Sequence, residues 1–222
     1  MPGNWTMDMM WMPMGNAILA WAMFTIMWLA MMVAMMLPST MPLLLLHRRA
    51  AAFRGEAHLG RSILALATGY FFVWTLFGIV AYLFGLTITR GAMHSAAFSR
   101  AVPVAGGLAL SMAGVYQFTP WKSACLKHCR NPPTLVAHHL SHGHLGAIRL
   151  GLHHGALCAA CCWGLMPIQL VLGAMNLVVM ATVAIVIAME KLLSNGERLA
   201  KATGVVAIAA GVIIAATSVR SM

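Results

Sequence analysis

An all-α, polytopic membrane bundle of about six helices is the fold this sequence predicts, and three observations predict it. Hydrophobic residues make up 61% of the 222 and charged residues only 8%, with a mean hydropathy of +0.85, whereas a soluble domain is about a quarter charged. The apolar residues fall into six runs, and the basic residues gather between the runs. Glycines recur inside the runs, as they do where membrane helices pack closely.

The runs cover residues 17–37, 63–88, 102–118, 152–171, 176–193 and 202–217, each near the ~17–25 residues that cross a bilayer. The third and fifth are short. The first lacks the basic leader and small-residue cleavage site of a signal peptide, so it is expected to stay as a span. Pro38 and Pro42 are expected to end or kink it, because proline removes a helical donor. Gly106, Gly107, Gly114, Gly204 and Gly211 are expected at helix contacts. The chain reads as one integral membrane domain over 1–222, with a methionine-rich outer tail (1–16) and a Cys/His-rich cytoplasmic connection (119–151).

Of the 14 Lys and Arg residues, eleven fall on one face of a six-span topology and three on the other. The positive-inside rule puts the richer face in the cytoplasm and both termini outside. A net charge of +10 suggests nucleic acid in a soluble domain, but here it is spent on topology, and nucleic-acid binding is disfavoured.

All five cysteines and seven of the ten histidines lie between Cys125 and Cys162. Cys125 and Cys129 share a helical face at a spacing common for paired thiolate ligands, with His128 as a third donor. Pro132 and Pro133 stop any helix there. In the fourth run His154, Cys158 and Cys162 follow i, i+4, i+8, while His153 and Cys161 lie on the neighbouring stripe. Cys158 is expected about 10 Å into the span from Gly151, shallow enough for the loop pair to fold over it. Such donors suit copper(I), zinc or an iron–sulfur cluster; cysteine is also an ordinary small apolar residue in a buried helix. A reducing compartment favours metal-binding thiols over disulfides. The run His138, His139, His142, His144 reads either as a metal-binding tract or as a solvated, pH-sensitive loop. His47, His58 and His94 read as interfacial.

Thirteen of the 20 methionines lie within the first 41 residues. Met23, Met27, Met31 and Met35 form an i+4 stripe flanked by Met32 and Met36, and Met7, Met9, Met10, Met12 and Met14 precede it. Thioethers favour copper(I), so Met31 and Met35 are candidate ligands on a copper route; flexible packing in lipid accounts for the stripe equally well. Glu190 is expected to pair with Lys191 or Arg149, or to orient a ligating histidine. Asn176 is expected to cap the fifth helix.

These motifs together resemble a bacterial family of uncharacterised, predicted metal-binding integral membrane proteins. The resemblance rests on Met31-Met32-Val-Ala-Met35-Met36-Leu-Pro38, on Tyr116 through Cys125 and Cys129 to Pro132, and on Gly146 through His153-His154-Gly155. It continues through Cys158-Ala-Ala-Cys161-Cys162-Trp163 to Asn176 and Glu190-Lys191. It implies a multi-span protein of the bacterial inner membrane with a metal site and no assigned reaction. The preferred reading is a copper-class protein of uptake, delivery or homeostasis, with the lipid bilayer, the ion and membrane or soluble proteins as partners, possible membership of a larger copper-enzyme complex, and no catalytic residue. The alternative is a thiol- or metal-dependent membrane oxidoreductase, or an accessory subunit of one; no nucleotide fingerprint or acid–base pair supports it.

Overall fold

The computed structural model describes residues 16–56, 58–131, 144–172 and 176–220. All regular structure among them is helical: α1 (Ala17–Phe53), α2 (Leu59–His94), α3 (Ala96–Tyr116), α4 (Pro120–Arg130), α5 (His144–Cys162), a 3₁₀ turn (Trp163–Leu165), α6 (Met166–Leu172), α7 (Leu177–Leu192) and α8 (Gly196–Arg220). Helix starts are set by local chemistry. Asn16 Oδ1 accepts from Ile18 N at 3.0 Å, and Asn176 Oδ1 accepts from Val178 N at 3.0 Å and Val179 N at 3.2 Å, the cap expected from its side chain. Thr119 caps α4, and Pro120 stands at its first position, where no donor is missed. Between α1 and α2 the chain turns at Gly55, whose φ of +73° suits a residue without Cβ. Arg54 closes that turn on Glu56 at 3.1 Å. Burial pushes the Glu56 carboxyl up, but hydrogen bonds from Arg54 and Ser62 and the Arg54 charge outweigh it and hold it below its usual range.

Five helical segments are long and apolar enough to cross a membrane: Ala17–Phe53, Leu59–His94, Ala96–Tyr116, His144–Gln169 and Gly196–Arg220. The fifth expected span is α7, which has 16 residues, or about 24 Å of helix against a hydrocarbon thickness of about 30 Å. Pro38 and Pro42 do not end the first helix; both lie inside α1. Ser39 Oγ and Thr40 Oγ1 both donate to Met36 O, at 3.0 and 2.9 Å, hydroxyl bonds back to the helix's own backbone between the two prolines.

Two helix pairs frame the molecule. α3 packs along α8 and α2 along α5, with α1 against α2 and α7. A Cβ on Gly107 would come within 2.7 Å of Gly211 O and Ala215 N, and one on Gly114 within 2.7 Å of Gly204 O, so α3 and α8 run antiparallel in near backbone contact. Gly106, by contrast, meets only the Val171 side chain at 3.5 Å. Because lipid offers no hydrophobic drive between helices, such contact is a main source of cohesion. Gly107→Leu is therefore expected to cost about 1–3 kcal/mol or more, read as a lower thermal unfolding midpoint of the solubilised chain; an unchanged midpoint would refute the contact.

Helix lengths set the depth of everything else. α3, with 21 residues, is about 31 Å long and matches the hydrocarbon thickness. Its last residue, Tyr116, donates from its hydroxyl to Ala160 O at 2.8 Å. The end of α3 therefore stands level with residue 160, close to the C-terminal end of α5. The same level is marked on α1 and α2 by Lys191–Ser39 (3.5 Å) and Tyr70–Cys158 (3.0 Å). Residues 40–53, 59–69 and 144–157 thus continue about 16–21 Å beyond it, carrying Arg48, Arg49, Arg61 and Arg149. They pack on their own small core of Leu43, Leu66, Ala147 and Leu150. The larger core, from Phe24 to Ile187, lies on the other side of that level.

Candidate metal centre

α5 brings the soft residues together because its glycines let it lie against α2. A Cβ on Gly151 would collide with Leu66 O, and one on Gly155 would approach Tyr70 O at 3.0 Å. That approach stacks Tyr70 on His154, with ring centroids 5.6 Å apart, and brings the Tyr70 hydroxyl within 3.0 Å of Cys158 Sγ. As the i, i+4, i+8 spacing predicts, His154, Cys158 and Cys162 share the buried face of α5, and Cys161 joins them. The three thiols are at most 2% exposed.

α4 crosses this face. Cys129 Sγ stands 3.8 Å from Cys161 Sγ, so the two cysteine groups do meet. Cys161 Sγ is 3.6 Å from Cys162 Sγ, and Cys162 Sγ is 4.0 Å from Cys158 Sγ. Each sulfur touches the next. They form a file rather than a cage: among the described residues, no three His, Cys, Asp or Glu side chains converge to hold an ion. All five thiols are free.

Two lysines at the same level complete the centre. Lys191 Nζ donates to Cys158 Sγ at 2.7 Å. Lys122 Nζ donates to Glu190 Oε2 at 2.7 Å and to Cys161 O at 2.6 Å, and Thr203 Oγ1 donates to the other Glu190 oxygen at 3.1 Å. Both lysines and Glu190 are buried, so each charge has a partner, as burial requires. Glu190 is thus paired as expected, but with Lys122 instead of Lys191 or Arg149. Adjacent residues on a helix point about 100° apart, which sends Lys191 to the thiols and Glu190 to α4 and α8.

The other expected ligands divide sharply. His128 is exposed on α4 and donates through Nδ1 to Ala124 O at 2.8 Å. His153 is exposed, while its neighbour His154 is buried with Nδ1 lacking any partner. Cys125, one turn before Cys129, is half-buried against the core. The methionine stripe is divided too: Met23 is 52% exposed, while Met32, Met35 and Met36 are at most 1% exposed and pack in the same core as the thiols. Met31 is half-buried and accepts from Gln169 Nε2 at 3.0 Å. His47, expected at an interface, is buried on Ser62 Oγ at 2.9 Å. Met7, Met9, Met10, Met12, Met14, His138, His139 and His142 lie outside the described residues, and His144 opens α5 exposed. Spacing alone missed Tyr70, Ser39, Lys122 and the role of Lys191. Charged residues at the borders of apolar runs were the available signal for the two lysines.

The file of thiols, with Lys191 on Cys158, presents soft donor atoms at one end of an apolar bundle. Residues 25–214 match the family model PpoB2, copper chaperone. The chain belongs to this family. Every residue of the centre, from Met31 to Thr203, lies inside the matched range. The family's description points to copper as the ion. No curated protein and no solved structure matches the chain.

Proposed function

We propose that the chain holds copper(I) as cargo at Cys158, Cys161 and Cys162, assisted by His154, and passes it to a copper-requiring protein. Its place would be a bacterial inner membrane, with the end rich in arginine and lysine in the cytoplasm. The observation that carries this reading is the buried file of thiols with Lys191 on Cys158. In a trigonal site with metal–sulfur bonds of about 2.3 Å the sulfurs stand about 4.0 Å apart. The Cys161–Cys162 and Cys158–Cys162 separations, 3.6 and 4.0 Å, are close to that edge, so small side-chain rotations would gather them round one ion. The buried His154 Nδ1 without a hydrogen-bond partner fits a further donor, and Lys191 offsets thiolate charge in a dry site. Zinc fits less well, because its structural sites are closed tetrahedra of four ligands.

The test is metal content, by elemental mass spectrometry, of the full chain purified under reducing conditions. About one copper per chain is expected; zinc, or no metal, would sink the reading. A second reading, thiol redox exchange, draws on the 3.8 Å approach of Cys129 and Cys161 across two helices. It predicts a reversible Cys129–Cys161 disulfide in the metal-free protein, visible as paired loss of alkylation.

A further inference from the structure

We infer that Cys129, with Cys125 one turn behind it, is the port through which copper(I) enters and leaves the buried thiols, by ligand exchange with an anionic copper(I)–thiolate complex at the end rich in arginine and lysine. The inference rests on the copper reading and adds a route, a face and a class of exchange partner.

Burial falls into steps along the file. Cys158, Cys161 and Cys162 are buried, whereas Cys125 and Cys129 are half-buried. Cys129 combines partial exposure with a sulfur contact to a buried thiol, Cys161. Successive separations of 3.8, 3.6 and 4.0 Å are each about one edge of a copper–thiolate coordination sphere. An ion can therefore gain the next sulfur before it loses the last. The opposite direction is packed with rings among the described residues. On the far side of the thiols the core is filled by aromatic rings: Phe24 with Tyr82 (4.8 Å), Phe24 with Trp28 (5.7 Å), Trp74 with Phe77 (5.9 Å) and Trp28 with Phe77 (6.1 Å). The outermost described methionine of the stripe, Met23, is largely exposed on the bundle surface instead of lining a path inward.

The helix that carries the port also fits the partner. Lys127, 69% exposed at its side chain and 3.8 Å from Glu197 Oε1, and exposed His128 precede Cys129, and Arg130, anchored to Ser194 O at 2.9 Å, keeps the local balance positive. Positive charge round a thiol steers anionic copper(I) thiolates towards it. The step balances without redox: the Cys129 sulfur forms a bond to copper as the bond to the donor sulfur breaks. Its proton passes to the departing thiolate, and copper stays monovalent. Small thiols and protein thiols share this chemistry.

The experiment mixes copper-free full-length chain with copper(I)–glutathione in one arm and a copper(I)-loaded Cys-x-x-Cys peptide in the other. Copper–thiolate absorbance is followed to completion. Cys129→Ser is expected to slow loading at least about ten-fold, since a misplaced exchanging group costs that much or more, while reaching the wild-type end point. The arm with the larger slowing names the source. Labelling the wild-type chain with a bulky water-soluble maleimide gives a check free of substitution: it should modify Cys129 ahead of the three buried cysteines and block loading. Unchanged rates in both arms would overturn the inference, as would a lowered end point, which would make Cys129 a resident ligand. A wild-type chain that takes up no copper would instead refute the copper reading itself.

Discussion

Cys158→Ser will strip the protein of copper, by at least about ten-fold relative to wild type when both are purified under reducing conditions, a loss at the level expected when a metal site is impaired. A hydroxyl is a hard, weakly acidic donor and replaces a thiolate poorly for a soft monovalent ion. In the thiolate form of the proposed site, the same change also removes the anion facing the Lys191 ammonium, which donates to Cys158 Sγ at 2.7 Å in a site 6% exposed. Breaking a buried charge pair on one side costs roughly 3–5 kcal/mol, so the variant will also be less stable. The double variant Cys158→Ser/Lys191→Met separates the two effects. It should recover much of the stability and none of the copper, whereas wild-type copper in Cys158→Ser would remove the thiol from the site.

Glu190→Gln is the second large effect, and it falls on the fold. The Lys122 side chain is 2% exposed and keeps its charge in the core through the Glu190 carboxylate at 2.7 Å. Without that charge, only neutral oxygens, Cys161 O and the new amide oxygen, face the ammonium. The cost is again on the order of 3–5 kcal/mol, far above the roughly 0.6 kcal/mol of an ordinary interhelical hydrogen bond in lipid such as Trp28 Nε1 to Trp74 O. A marked fall in the thermal unfolding midpoint is expected, with recovery in Lys122→Met/Glu190→Leu. If Glu190→Gln melts like wild type, the pair does not hold α4 to α7.

The bundle was legible because a membrane helix is written in composition: every apolar run in the sequence became helix. Its lengths were less so. α1 runs through Pro38 and Pro42 to Phe53, since a run of leucines followed by arginines marks where lipid ends but not where the helix does. The file of thiols was half legible. Spacing placed His154, Cys158 and Cys162 on one face, because those contacts are local. The Cys129–Cys161 approach depends on how α4 lies across α5, and periodicity carries no record of that. Adjacent pairs were the weak point. His128 beside Cys129, His153 beside His154, and Glu190 beside Lys191 are neighbours in sequence but point about 100° apart, so membership of a motif did not mean membership of the centre.

The depth of the centre has an electrical consequence. If α3, about as long as the hydrocarbon is thick, spans it from end to end, the bond from Tyr116 to Ala160 sets the thiols near one boundary of the bilayer and not at its middle. Moving a unit charge through the full field of a 100 mV membrane exchanges about 2.3 kcal/mol. On the proposed route an ion exchanged at Cys129 and held at Cys158 would cross almost none of that field. Membrane voltage would then do little work on it, and loading would follow the chemical gradient between thiols alone.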